Sequence, residues 1–249
     1  MAALSEKDLG RYQRQILVSG FGVHAQKKLK NAHVLVAGAG GLGSTVLSYL
    51  AVSGIGSITF VDHDKVELSN LNRQILHWDK DISKTKVESA LEKLMMLNPD
   101  VKIKGICEKI SADNVMDFAK GKDGIVDCMD NFTTRYLLND AALKVGIPLF
   151  HGACYGFEGR VSTIIPKKTP CLRCIVPVNP KEGACPGIGS VVGIIGAIQA
   201  TEVIKYFGNV GELLSGKLFV FDSLYMRCAS VDVERNPKCP SCGSVKGGI

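Results

Sequence analysis

The chain has 249 residues, 46% of them hydrophobic, with 30 Lys and Arg against 24 Asp and Glu for a formal charge of +6. That length can bury a full core as one α/β unit, and the basic residues are scattered without a dense run or aromatic interleaving, which excludes a nucleic-acid track. The polar N-terminus MAALSEKDLGRYQRQ lacks the apolar core of a signal peptide, so the nine cysteines point to a cytoplasmic protein without a disulfide framework.

Two short helices are expected first, around residues 6–15 and 23–30. Residues 34–43 then read VLVAGAGGLG, an apolar strand running into a glycine turn, after which Leu42, Val46, Leu47 and Leu50 recur at helical spacing until Gly54 and Gly56. In such a turn Gly38 permits the tight bend, Gly40 and Gly41 let the backbone approach an anion, and Gly43 lets the helix pack on the strand, with phosphate at the helix N-terminus. Asp62 ends the next strand, SITFV, 24 positions after Gly38, where an acid accepts hydrogen bonds from a ribose. Taken alone, the turn and Asp62 suit a nicotinamide-dependent oxidoreductase. They leave NAD and ATP both open.

A polar crossover, 63–79, leads to a helix over about 84–97 stopped by Asn98 and Pro99, and then to a strand at 101–106. A short helix at 111–120, a strand over 124–130 with Asp130 at its C-terminal end, a helix at 133–145 and a strand at 148–153 continue the parallel winding to about residue 152. Beyond it come a strand near 158–166, a Pro-, Gly- and Cys-rich stretch, an apolar helix over about 188–207, and alternating strands at 217–223 and 226–234. Ser190, Gln199, Glu202 and Lys205 mark the apolar helix as a buried one rather than a membrane span. The fold class is therefore α/β: a Rossmann-like, doubly wound, largely parallel sheet extended by antiparallel C-terminal strands. We expect one unit over 1–249, with N-terminal helices at 1–30, a nucleotide-binding part at 31–152 and an antiparallel, metal-binding part at 153–249.

Cys171-Leu-Arg-Cys174 and Cys239-Pro-Ser-Cys242 are two C-x-x-C knuckles, together supplying four sulfurs for tetrahedral zinc. The 64 residues between Cys174 and Cys239 would make the ion a clamp between a loop and the C-terminal tail. Four sulfurs leave no open position for water, so the role is structural. A thioredoxin-like redox role is the rival for either pair alone. Cys107 and Cys128 read as small buried hydrophobes, Cys154 and Cys228 stay undecided, and Cys185 falls in a Pro/Gly loop before the apolar helix, where its thiol could be exposed.

Ligands of a doubly wound sheet bind at the C-terminal ends of its strands, and Asp62, Asp64, Asn70, Arg73, Lys86 and Asp130 all follow strands on that edge. Cations and a metal-holding carboxylate beside phosphates suit nucleotidyl transfer better than hydride transfer. No Walker lysine follows the glycines, so the turn is not a P-loop. Plainer readings exist for each residue: Arg73, Lys86 and Arg14 as solvated cations, Asp130 as a helix cap.

Arg-Tyr-x-Arg-Gln-Ile at 11–16, GAGGLGS at 38–44, Asp62-x-Asp64, Ser69-Asn70-Leu71-Asn72-Arg73-Gln74, Lys86, Asp127-Cys128-x-Asp130-Asn131 and both knuckles resemble the MoeB/ThiF/HesA family, in order along nearly the whole chain. The resemblance implies a cytoplasmic homodimer that spends Mg-ATP to adenylate the C-terminal Gly-Gly carboxylate of a small β-grasp sulfur-carrier protein, for molybdopterin or thiamine biosynthesis or a related sulfur transfer. It further implies that Asp62 holds the ribose, Asn70 and Arg73 the phosphates, Lys86 the phosphates near the reacting centre, and Asp130 the Mg²⁺. Arg14 would reach the partner subunit's site, and Ser69, Gln74 and Asn131 would complete the nucleotide pocket. In some members a cysteine in the loop of Cys185 links to the carrier during sulfur transfer. No thioester or rhodanese domain is expected within these 249 residues, so the sulfur donor is expected to be another protein. A scaffold that binds a carrier without activating it would lack these cations. Gly247, Gly248 and Ile249 are expected to form a disordered tail.

Overall fold

The computed structural model describes residues 3–178, 183 and 185–243, so the expectation for residues 247–249, and part of that for the loop around Cys185, lie outside the described residues. Helices α1 (Glu6–Arg11), α2 (Gln13–Ile16) and α3 (Gly22–Asn31) precede the sheet. The single helix expected over 6–15 is broken at Tyr12, which is buried against the Gly54 turn and accepts a hydrogen bond from Asn98. Burying that ring turns the chain out of helical geometry.

Strands β1 (His33–Ala37), β2 (Ser57–Val61), β3 (Lys102–Ile106), β4 (Gly124–Asp127) and β5 (Leu149–Tyr155) pair in parallel in the order β3-β2-β1-β4-β5. Strands β6 (Glu158–Ile164), β7 (Lys217–Asp222) and β8 (Arg227–Asp232) continue the same sheet antiparallel. The crossovers carry α4 (Gly41–Ser53), α5 (Lys86–Leu97), α6 (Val115–Ala119) and α7 (Phe132–Val145), followed by the one-turn α8 (Leu172–Ile175) and the long α9 (Gly189–Gly208).

Side-chain alternation along the strands divides the core into two layers. Val34, Val36, Ile58, Phe60 and Phe150 face α4, α5 and α9, while Leu35, Ala37, Val61, Ile125 and Leu149 face α6, α7 and α8. Helix α9 is long and apolar enough to cross a membrane, but it packs on α4 and β5 and buries Gln199 and Glu202 in polar contacts. Gln199 donates to the carbonyls of Asp127 and Phe150, and Glu202 accepts from Thr163. Those bonds make it a core helix, as the polar residues within it foretell.

Two further expectations need correction. Strand β4 ends at Asp127, not Asp130, because the backbone leaves the ladder to form the loop before α7. Cys107 is exposed rather than buried, since it follows β3, the sheet's outer parallel strand. Cys128 is buried as expected, and burial raises its pKa well above the ordinary thiol value.

Candidate active site and metal centre

The C-terminal ends of the parallel strands open into a cavity of about 1510 Å³. Its floor is the glycine turn. Gly38 has φ +96°, and a side chain there would bring Cβ within 2.8 Å of the carbonyl of Cys128; one at Gly43 would place it 2.0 Å from the carbonyl of Gly38. Only glycine lets β1, the turn and α4 approach this closely. Helix α4 starts at Gly41, so its N-terminal amides face the cavity.

Asp62, nearly buried just past β2, ties the turn down by accepting from the amide of Ala39 at 2.8 Å, while its other oxygen accepts from the amide of Asp64 at 2.9 Å. Each oxygen keeps a lone pair for a ligand. Lys86 opens α5 behind a Thr85–Glu88 capping box, and its ammonium lies 2.7 Å from the half-exposed carboxylate of Asp64. Burial opposes ionisation of Asp64, but the hydrogen bond and charge of Lys86 outweigh it and hold the pKa below the usual carboxylate value.

Arg73 donates to the carbonyl of Ser69 and to Asn72, which holds its guanidinium at the cavity wall. Gln74 is buried beside Gly40, and its Oε1 has no hydrogen-bond partner among the described residues. A buried amide oxygen without a partner is costly unless a ligand or water meets it. Across the cavity Asp130 is exposed, in a loop whose helix cap is Asn131, accepting from the amide of Thr134 at 2.8 Å. Asp130 is therefore not the cap; its carboxylate accepts from the Asn131 side-chain amide at 3.3 Å.

The cavity thus brings together Gly38, Gly40, Gly41, Asp62, Asp64, Arg73, Gln74, Lys86, Asp130, Asn131 and, at its mouth, Cys185. It does not include four residues expected at the site. Gly43 packs beneath the turn, and Ser69 and Asn70 stand behind Arg73, with Asn70 turned back to accept from the amide of Glu67. Arg14 is exposed on α2 and does not line the cavity of its own chain.

Arg135 and His151 escape sequence reasoning, and Asp127 enters it only as part of a motif, with no role assigned. The Arg135 guanidinium donates twice to the carbonyl of Met129 and once to that of Gly152, fixing the loop that carries Asp130. His151, buried on β5, donates from Nδ1 to Asp127 at 2.7 Å. Its pKa is lowered by burial, against the pull of Asp127. The available signal was an arginine on the buried face of α7, where a cation is rare unless paired.

The four knuckle cysteines converge on the second core layer. Their sulfurs stand 3.5 Å (Cys171 to Cys239), 3.5 Å (Cys174 to Cys242) and 4.0 Å (Cys171 to Cys174) apart. Sulfurs at tetrahedral corners about 2.3 Å from zinc are separated by roughly 3.8 Å, so the quartet fits that ion and is far too open for disulfides. Burial and neighbouring thiols push Cys171 up. Burial also opposes ionisation of Cys239, but donated hydrogen bonds bring its pKa down to about 7, toward the thiolate a metal needs.

Residues 12–241 match the ThiF family, and the chain belongs to it. It is 42% identical to a SAMP-activating enzyme E1 of Haloferax volcanii, over 99% of this chain and 93% of that protein. It is 38% identical to a sulfur carrier protein adenylyltransferase of Thermus thermophilus, over 96% of this chain and 92% of the relative. Among solved structures, E. coli MccB with ATP superposes with a TM-score of 0.81 at 25% identity, covering 98% of this chain and 83% of that one.

Proposed function

We propose that this chain uses ATP to adenylate the C-terminal Gly-Gly carboxylate of a small ubiquitin-like, β-grasp sulfur carrier, releasing pyrophosphate. The observation that carries the proposal is the pairing of a phosphate-type glycine turn with Lys86 and Arg73 on one wall and an uncapped Asp130 on the other. A hydride-transfer site has no use for those cations, and the relatives are named for carrier activation.

In this reading the turn and the N-terminus of α4 hold phosphates, Asp62 and the loop of Asp64 face the ribose, and Lys86 and Arg73 neutralise charge as the carrier's carboxylate attacks the α-phosphate in line. That carboxylate is ionised at pH 7, so no general base is needed. Asn70, Ser69, Gln74 and Asn131 support the walls. The exposed Asp130 carboxylate, with no cation paired to it among the described residues, suits Mg²⁺, a hard ion that takes oxygen ligands and, when bound, would screen the phosphates. Zinc is the metal proposed for the cysteine quartet.

Arg14 completes the site of a second protomer in a homodimer. Its exposure on α2 beside largely exposed Leu17 and Val18 supports that placement. Cys185, exposed at the cavity mouth with its thiol donating to the carbonyl of Cys154 at 3.1 Å, serves the later sulfur transfer from a separate donor protein in the cytoplasm, not adenylation.

The test is ATP–pyrophosphate exchange against purified β-grasp carriers. Exchange is expected only with a carrier that retains its terminal glycine pair. Exchange independent of carrier, or tight NADH binding without ATP binding, would overturn the proposal.

A further inference from the structure

Behind the glycine turn lies a buried polar chain to which none of the roles above is assigned. His77, at the end of the crossover and 3% exposed, places Nε2 2.9 Å from the carbonyl oxygen of Ala39 and Nδ1 2.9 Å from Oγ of Ser89 on α5. A carbonyl only accepts, so Nε2 carries the proton, and in the neutral ring Nδ1 accepts from the Ser89 hydroxyl. Ser89 Oγ in turn accepts from the Lys93 ammonium at 2.8 Å, and Lys93 also donates to the Ser89 carbonyl at 3.0 Å and pairs with buried Asp81. Every proton from Lys93 through Ser89 and His77 to Ala39 is thereby placed, and each group fixes the next.

The end of this chain is the informative part. Ala39 is held from both sides, its amide by Asp62 and its carbonyl by His77. The peptide joining Ala39 to Gly40 is trans, so anchoring the carbonyl toward His77 turns the Gly40 N–H the opposite way. Gly40 lines the cavity. The same imidazole joins the turn to α5, the helix that begins with Lys86, so a peptide of the cavity-lining turn and the site's buried lysine share one brace.

We propose that neutral His77 is a positioning residue for the nucleotide: it orients the Ala39–Gly40 peptide for phosphate and registers it against α5. The inference rests on the ATP-binding reading of the cavity. Two amide substitutions separate the two ends of the ring. His77→Gln can place its side-chain N–H near the position of Nε2, whereas His77→Asn reaches only the Ser89 side and leaves the Ala39 carbonyl without its donor.

The measurements are Mg-ATP binding by calorimetry, the KM values for ATP and carrier in pyrophosphate exchange, and the melting temperature. His77→Asn should weaken ATP binding and raise the KM for ATP about ten-fold, with the KM for carrier changed less than about two-fold. His77→Gln should recover most of that loss. Should His77→Asn fail to fold, Ser89→Ala keeps the imidazole but frees its Nδ1 side, and a rise of about three-fold in the KM for ATP is expected. Equal effects of Gln and Asn, unchanged ATP affinity in His77→Asn, or equal rises in both KM values would show a merely structural histidine. Wild-type protein that binds ATP but activates no carrier would remove the proposed substrate and leave this inference standing on calorimetry; wild-type protein that binds no ATP would remove both.

Discussion

Strands β1, β2 and β4 are covered on both faces and bury nearly every residue, whereas β7 is only partly buried and every residue of β8 is exposed. The difference follows from connectivity. Parallel strands need crossover helices, which seal both faces and leave only the C-terminal edge of the sheet for a ligand. Antiparallel strands joined by short turns can leave a face open, and here Leu224, Tyr225 and Met226 stand exposed between β7 and β8. Buried Lys86, Asp62, His77, Asp127 and His151 therefore gather at the parallel edge, while the extension offers surface and, through the cysteine quartet, a tie between its tail and the second core layer.

If chemistry resides at the parallel edge, Asp130→Ala should lower carrier-dependent pyrophosphate exchange by about 10³-fold or more while carrier affinity, measured by calorimetry, changes less than about two-fold. Undiminished exchange would take the metal-binding role from Asp130 and blur the distinction between the two regions.

The extension should answer to stability instead. One zinc per chain is expected by metal analysis, and Cys242→Ser should lower the melting temperature by about 10 °C, corresponding to a loss of roughly 3 kcal/mol in a chain of this size. ATP affinity should stay within about two-fold. A matching fall in ATP affinity would mean that the clamp shapes the active site after all.

The smallest effect concerns acid. Burial lowers the pKa of both His77 and His151 from the ordinary 6.5, so as pH drops below that value the unfolded chain takes up protons the folded chain does not. Their contribution to stability is complete above pH 6.5 and is lost as pH falls, by at most about 1.4 kcal/mol per pH unit for each ring. The groups facing them are Lys86, Lys93 and Asp62 around His77, and Asp127, Arg135 and Arg160 around His151. Asp81 has its pKa held low by Lys93, Trp78 and Lys84 against the cost of burial, so it joins only in stronger acid. Urea midpoints at pH 7.5 and 5.5 in the wild type and in His77→Gln check this, the variant showing the shallower decline; identical declines would show that His77 does not contribute.

The elements most legible in the sequence are those whose partners are neighbours along the chain. The strand, glycine turn and helix at 33–53 declare themselves because turn geometry and helical spacing are local. Likewise each knuckle brings two sulfurs together within four residues, and only the joining of the two pairs is long-range. Arg135 and His77 are the opposite case. The partners of Arg135 are carbonyls 6 and 17 residues away, and those of His77 lie 12 and 38 residues away. Nothing local distinguishes a histidine that braces a peptide from one that faces water.

By itself, then, the sequence determined the α/β winding, the phosphate-type turn and the four cysteines able to hold a metal, because backbone geometry and the proximity of thiols within a C-x-x-C turn are set by residue type and spacing. Tertiary structure alone decided that the helix over 6–15 breaks at Tyr12, that Asp130 stands free of the α7 cap, that Arg14 lies away from its own cavity, and that the Ala39 peptide is held by His77. The physical reason is common to all four: burial and hydrogen-bond partnership are properties of groups brought together by folding, and a group's neighbours in space are not written in its neighbours along the chain.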